Sequence, residues 1–265
     1  MNKFILPGPG VLCSLHNHSD WSDGGSTMRE MCVAAKEAGV DIFGLSDHYV
    51  IHPAPELMPV DWSLDPEKLG DYIAELQKLK QELEDEKFSI RIGLEVDFFF
   101  ENYRQILAEL EKYPLDYLIG SVHYSGVFPI DGSVADWEGL SEKDMDDICT
   151  VYWQKLLGAA GCSKFLFLGH LDLPKKFGLL KEPEKYFEHA CKVLDAACAN
   201  GIGIELNTSG WYKQCAEQYP SDALLKEALR RGIPVVINPD AHSAKHVTRD
   251  FLRAGELLDR INAAK

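Results

Sequence analysis

The chain is short of positive charge: 27 Lys and Arg stand against 42 Asp and Glu, a formal net charge of −15. Non-specific affinity for a phosphate backbone comes from clustered Lys and Arg, so long nucleic acid is not an expected partner. The sequence also lacks any apolar run near the ~18 residues that mark a membrane helix. Met1 to Gly10 holds one Lys, a short apolar stretch and two prolines, which make neither a signal peptide nor an anchor. A cytoplasmic protein is expected, with no membrane partner. The seven cysteines are odd in number and include no C-x-x-C pair, which argues against a zinc knuckle and a disulfide framework. Cys32, Cys191 and Cys198 fall in helical apolar patterns and are expected as reduced core thiols. No Ser-His-Asp or C-x-x-x-x-x-R arrangement stands out, so no covalent nucleophile is indicated.

What is present is a repeated unit. At 265 residues, 46% of them apolar, the chain can bury a large core, and residues 1–265 are expected to form one domain. One pattern recurs along it: a short apolar or β-branched run, a polar residue at its end, a loop, then an amphipathic helix. Strands are predicted over 11–15, 41–46, 89–96, 116–122, 165–168, 202–206 and 233–237. The first helix is capped by Ser26 or Thr27 and runs to Ala38, before Gly39. Others are predicted over 67–85, with Leu69, Ile73, Leu76, Leu79 and Leu83 on one face, and over 101–113, stopped by Pro114. Further helices cover 142–158, the stretch from Pro183 to Asn200, 221–231 and 249–262. Strands alternating with helices imply a parallel sheet, and seven such units imply closure into an α/β barrel. In barrels of this kind the active site lies at the C-terminal ends of the strands.

Those ends carry one kind of chemistry. The first strand runs into Leu15-His16-Asn17-His18-Ser19-Asp20-Trp21-Ser22-Asp23. In a strand His16 and His18 point to the same face, so both imidazoles can reach one metal ion. Asp23, in the following turn, can add a hard oxygen ligand. An isolated His-X-His is more often an ordinary polar strand end. Here the second strand ends in Asp47-His48, the third delivers Glu95 and Asp97, the fourth His123, the fifth His170 and Asp172, the sixth Asn207, and the seventh Asp240 and His242. Seven strands placing such groups on one rim make chance a poor account. One four-coordinate ion needs about four ligands, so His16, His18, Asp23, His48, Glu95, His123, His170, Asp240 and His242 point to two or three ions. Histidine and carboxylate without thiolate suit zinc, manganese or iron better than calcium or magnesium. Asp47, Asp97 and Asp172 are each within two residues of a proposed ligand, where they either orient an imidazole or stand as solvated strand-end acids. The long loop 124–140 carries glycines, aromatics and two aspartates, the profile of a substrate loop.

As an ordered set these motifs resemble those of the polymerase and histidinol phosphatase (PHP) superfamily, and within it the stand-alone histidinol-phosphate phosphatases. The motifs are His16-X-His18, Ser46-Asp47-His48 with Gly93-Leu94-Glu95, Ser121-Val122-His123 with Gly169-His170-Leu171-Asp172, and Asp240-Ala241-His242, spanning about residue 12 to 246. The resemblance implies a distorted (β/α)7 barrel with three divalent transition-metal ions at the C-terminal ends of its strands: zinc first, manganese or iron as alternatives. It implies one ion on His16, His18, Glu95 and Asp240, a second on Asp23, His48 and His242, and a third on Glu95, His123 and His170, with Glu95 as a bridge. The subfamily likeness is carried by Phe128-Pro129-Ile130-Asp131, His170 to Lys176, Glu205 to Gly210, and Tyr219-Pro220-Ser221. There are two departures. The wider superfamily often has His where this chain has Asp23. After Gly210 the subfamily pattern leads one to expect Leu-Arg-Lys, and this chain reads Trp211-Tyr212-Lys213, which leaves Lys175, Lys176 and Lys213 as cationic candidates for phosphate.

The expected activity is hydrolysis of a small phosphate monoester, L-histidinol phosphate first, in histidine biosynthesis, by attack of a metal-bridging hydroxide. Glu95 sits among the metals, and Asp47 or Asp172 is the candidate acid for the leaving alkoxide. Lys175, Lys176, Lys213, Asp131, Phe128, Trp137 and Asn207 are the expected substrate contacts. Alternatives are another phosphate ester, such as a nucleotide or sugar phosphate, or a TatD-like metal-dependent nuclease. The nuclease has no need of Asp23, His48 and His242 and is disfavoured by the negative charge. An amidohydrolase is disfavoured because no Lys occupies a mid-barrel strand end, and a metal-binding module without catalysis because the ligand set is complete. The oligomeric state is not fixed by sequence.

Overall fold

The computed structural model describes residues 4–8 and 10–263; Met1 to Lys3, Pro9, Ala264 and Lys265 lie outside the described residues. In chain order the elements are β1 (Cys13–Ser14), α1 (Met28–Glu37), β2 (Ile42–Leu45), β3 (His48–Tyr49), α2 (Leu69–Leu83), β4 (Ser89–Asp97), α3 (Tyr103–Leu110), β5 (Tyr117–Ser121), β6 (Tyr124–Ser125), β7 (Phe128–Pro129), α4 (Val134–Trp137), α5 (Glu142–Gly161), β8 (Phe167–Leu168), α6 (Phe187–Asn200), β9 (Gly203–Asn207), α7 (Asp222–Arg230), β10 (Val235–Asn238) and α8 (Phe251–Ala263). The strands pair in the order β1-β2-β4-β5-β8-β9-β10, all parallel, with β3 added alongside β4. The sheet is nearly closed into a barrel, with helices outside it, as the alternation of strands and helices implies.

Closure is made at the rim that carries the histidines. Beyond the ends of β1 and β10, Asn17 and Ala241 form a parallel bridge, in which His18 N donates to Ala241 O at 2.8 Å and Ala241 N to His16 O at 3.3 Å. Lower down, Leu15 N donates to the Asn238 side chain at 2.9 Å instead of to a strand backbone. At the other end Leu12 N is likewise taken by the Asp41 side chain at 2.7 Å, and β1 spans two residues where the apolar run predicts five. The polypeptide also kinks after β2: Glu95 N bonds to both Ser46 O and Asp47 O at 3.1 Å, so His48–Tyr49 resumes as a separate strand.

The core has two layers. Inside the barrel, Leu15, Tyr117, Ile119 and Phe167 pack together; between sheet and helices lies the larger cluster to which α1, α2, α5 and α6 contribute. Tyr117 is the plug, its hydroxyl donating to Leu15 O at 2.5 Å. A Cβ at Gly44 would fall 2.2 Å from the Tyr117 hydroxyl and one at Gly93 2.3 Å from its ring, so those strand glycines are the space the plug occupies. Helix α1 starts with a reciprocal capping box between Thr27 and Glu30.

The loop over 124–140 is not an open connector. It folds as the β6–β7 hairpin followed by α4, and Trp137 is buried at 1% exposure with its indole N–H donating to Ile130 O at 2.9 Å. All seven cysteines are free, but Cys198 is exposed and Cys191 half-buried; only Cys32 of the three assigned to the core is fully there, because Cys191 and Cys198 flank the apolar stripe of α6 formed by Ala190, Val193, Leu194 and Ala197. No helix among the described residues is long and apolar enough to cross a membrane.

Candidate metal centre

His16 and His18 leave β1 two residues apart and turn to the same side, as a strand requires. The His16 Nδ1 lies 2.9 Å from Glu205 Oε2, which aims Nε2 inward to within 3.2 Å of Glu95 Oε2 and 3.7 Å of Asp240 Oδ1. His18 Nε2 is 3.2 Å from Asp240 Oδ1, and its ring stacks against those of both His48 (4.1 Å) and His242 (4.3 Å), which lie 6.0 Å from each other. Asp23 closes this side, with Oδ2 at 3.2 Å from His242 Nε2 and Oδ1 at 3.6 Å from His48 Nε2. Across the rim, His123 Nε2 and His170 Nε2 face each other at 3.2 Å and lie 3.6 and 2.9 Å from Glu95 Oε1. Glu95 stands in the middle, and its Oε2 is also 2.8 Å from His48 Nδ1.

Local structure fixes these groups. Ser121 donates to Glu95 Oε1 at 2.6 Å, and a Cβ at Gly169 would strike that hydroxyl at 2.4 Å, so the next strand must be bare there. The Asp97 carboxylate lies 2.6 Å from His123 Nδ1 and accepts from the His123 backbone N–H at 3.1 Å. Asp240 holds a left-handed backbone at φ 49°. That conformation is costly away from glycine and persists only where the surroundings enforce it. Here the Asn207 amide and the Ser209 hydroxyl donate to its Oδ2 at 3.1 and 3.3 Å, leaving Oδ1 for the histidines.

The donor set fits metal. His16 Nε2, both nitrogens of His18, His48 Nδ1 and Glu95 Oε2 are buried without a hydrogen-bond partner. Unpaired buried polar atoms are expensive, and several converging on one space are satisfied together by a cation. Four groupings bring ligand atoms within 4.8 Å of one another: His18 with Asp23, His48 and His242; His16 with His18 and Glu95; His16 with His170 and Asp240; and His48 with Glu95 and His123.

The electrostatics describe the same coupling. Burial pushes the Glu95 carboxyl up, but the neighbouring His16, His48 and His123 outweigh it and hold it well below the carboxylate range. Burial and the charges of His48 and His242 push His18 down to about 3. For His123 burial is overcome by Asp97 and Glu95, raising it to about 10, and for His242 it is overcome by Asp23 and Asp240, raising it to about 9.

A cavity of about 380 Å³ opens from this cluster, walled by Trp62, Tyr124, Pro129, Asp131, Gly132, Leu173, Lys176, Ser209, Lys213 and Tyr219. Of the substrate contacts expected from sequence, Lys176, Lys213 and Asp131 face it; Lys176 Nζ donates to Asp131 O at 2.8 Å and lies 3.3 Å from its Oδ2. Phe128 lies outside the wall, edge-on to Trp137 at 5.2 Å, and Trp137 is buried in the main hydrophobic core. Lys175 is turned away: its ammonium is spent on Glu217, Gln218 O and Asp172, and it is 7% exposed. Asp172 correspondingly accepts from Lys175 and from Ser221 N at 2.8 Å, with burial raising its carboxyl to about 6 despite Lys175. Asp47 accepts from Ser19 N, Ser19 Oγ and Ser22 Oγ at 2.6 to 2.9 Å, pinning the turn that carries Asp23. Neither Asp47 nor Asp172 lines the cavity. Asn207 lies beneath Asp240 as its support.

The sequence brought in Glu205 only as part of a subfamily stretch and gave it no role at the site; it also accepts from His170 N at 2.6 Å and from Asn207 and Asn238. It sits two residues before Asn207 on one face of β9, and that period-two spacing was the available signal. Trp62, in a proline-rich loop with no periodicity, carried none.

Known proteins share this barrel. The model of the PHP domain matches residues 14–209. A Deinococcus radiodurans protein named "Probable histidinol-phosphatase" is 37% identical over 246 residues, covering 92% of this chain and 91% of that one. The Bacillus subtilis histidinol-phosphatase is 31% identical over 256 residues, covering 88% of this chain and 94% of that one. Among solved structures, the Lactococcus lactis histidinol phosphate phosphatase complexed with zinc, L-histidinol and phosphate superimposes with a TM-score of 0.77 at 24% identity, covering 94% of this chain and 93% of that one, which bears on the fold. With its family model matched across the barrel from Ser14 at β1 to Ser209 beyond β9, the chain belongs to the PHP domain family.

Proposed function

We propose that the protein is a metal-dependent histidinol-phosphatase, hydrolysing L-histidinol phosphate to L-histidinol and phosphate in the cytoplasm as a step of histidine biosynthesis. The observation that carries the reading is the clustering of the nine ligand candidates at the head of one cavity, with five histidines within 3.7 Å of Glu95, in a chain 37% identical to a relative of that name. We assign three divalent ions, zinc foremost: His16, His18, Glu95 and Asp240 for the first, Asp23, His48 and His242 for the second, Glu95, His123 and His170 for the third. Ions held there would lower the pKa of a water and offset charge on the phosphoryl oxygens.

The chain's own residues do the rest. Lys213, whose ammonium forms no ion pair among the described residues, faces the cavity beside Ser209 and takes a phosphate oxygen as a point charge. Burial raises the Asp131 carboxyl, but His123, Lys176, His170 and His48 outweigh that and keep it ionised, so it serves as an anion facing the leaving group and not as its acid. With Asp47 and Asp172 both committed elsewhere, the leaving alkoxide takes its proton from solvent in the cavity.

The test is phosphate release from a panel of phosphomonoesters. L-histidinol phosphate should give the highest kcat/KM. A nucleotide or sugar phosphate preferred tenfold or more would overturn the substrate and leave the metal chemistry in place.

A further inference from the structure

The cavity has an organic end that no metal ligand accounts for. Trp62 stands there, perpendicular to His48 with ring centroids 4.7 Å apart, 5.8 Å from His123, and near-parallel to Tyr124 at 6.3 Å. It is held firmly. Its neighbour Ser63 donates to His48 O and accepts from Val50 N, both at 2.9 Å, and Leu64 N donates to His48 O at 2.9 Å. The loop that carries Trp62 is therefore tied to the backbone of His48 and of Val50 just after it. Trp62 keeps part of its surface open and lines the cavity, as does Asp131 from the β7–α4 connection. Lys176 pairs with Asp131 through Oδ2 at 3.3 Å, and no hydrogen bond among the described residues engages Oδ1, which is left to take a cation from the substrate, while an uncovered indole gains from a flat ring laid against it.

We propose that Trp62 and Asp131 form the leaving-group subsite, Trp62 taking a planar ring and Asp131 an ammonium, so that together they select phosphomonoesters whose alcohol carries both. This rests on the phosphatase reading and names the residues that make its specificity. Both act on substrate directly.

The experiment measures kcat/KM and KM for L-histidinol phosphate and for glycerol 2-phosphate, which has neither ring nor amine, in wild type, Trp62→Ala, Trp62→Phe and Asp131→Asn, with bound metal counted in each. The ratio of the two kcat/KM values should fall at least tenfold in Trp62→Ala and in Asp131→Asn, with the Trp62→Ala loss in KM, and Trp62→Phe should restore most of the ratio. A ratio within twofold of wild type in both Trp62→Ala and Asp131→Asn overturns the subsite. So does loss of metal in Trp62→Ala and Trp62→Phe alike, which would make Trp62 packing for the ligand rings. A wild-type ratio near one counts against histidinol phosphate as substrate; a fall below one in the variants would still support the subsite.

Discussion

Glu205 lies 2.9 Å from Nδ1 of His16, and both residues are fully buried. A carboxylate behind an imidazole fixes its tautomer and raises the basicity of the nitrogen that faces the ion. The same carboxylate accepts from His170 N, so it aligns β1 and the β8 end together. Glu205→Gln should therefore weaken metal binding by about 10- to 100-fold with the fold retained. Competition against a chelator, alongside circular dichroism, measures it, and an unchanged affinity would remove Glu205 from the centre.

Glu95 and His170 differ in reach. Glu95 lies within 3.7 Å of His16, His18, His48, His123 and His170, whereas among the described carboxylates His170 meets Glu95 alone within salt-bridge distance. In elemental analysis of metal-replete protein, Glu95→Gln should lose more than one of about three ions and His170→Ala about one. Equal losses would contradict the bridging assignment.

How far the sequence revealed this depended on where a residue's neighbours come from. The ligand candidates stood out in the sequence because most lie at or just beyond the ends of strands, and parallel strands put their ends together whatever their exact registers. Glu205 was hidden one layer down, since attention to each strand's last polar residue passes over the one two places earlier. Lys175 looked like a phosphate ligand because a lysine three residues beyond Asp172 does not reveal that Glu217 and Gln218 fold back onto it. Trp137 and Trp62 exchanged roles for a similar reason: the α4 turn buries the first, and the Ser63 to His48 bond delivers the second.

The lysines separate by what they hold. Lys175→Met would leave Asp172 buried without its partner, and breaking a buried pair costs roughly 3–5 kcal/mol. It should lower the melting temperature and shift the loop bearing Tyr219. Lys213→Met should leave melting unchanged and reduce kcat/KM by about 1–3 kcal/mol of transition-state stabilisation. Calorimetry and kinetics on both proteins decide it; a kinetic defect in Lys175→Met without any loss of stability would reinstate that lysine as a substrate contact.

Lys155 gives a pH dependence of stability. It is 4% exposed, donates to Tyr124 O at 2.7 Å and lies 3.8 Å from the centre of the Phe99 ring. Burial pushes its ammonium down from 10.5 to about 8, against the opposing pull of Asp97 and Glu101. Between those values the unfolded chain binds more protons at this site than the folded one, so unfolding free energy rises with pH. The cost of the buried charge is fully present below pH 8 and is relieved as pH climbs from there toward 10.5. The gap corresponds to a cost on the order of 3 kcal/mol. Other groups titrate in the same window, so the readout is a difference: denaturant unfolding of wild type and Lys155→Met at pH 7, 8, 9 and 10. Wild type should gain stability relative to Lys155→Met as pH rises above 8. A constant difference across the range would mean that Lys155 keeps its ordinary affinity for a proton and that hydrogen bonding to Tyr124 O alone explains its burial.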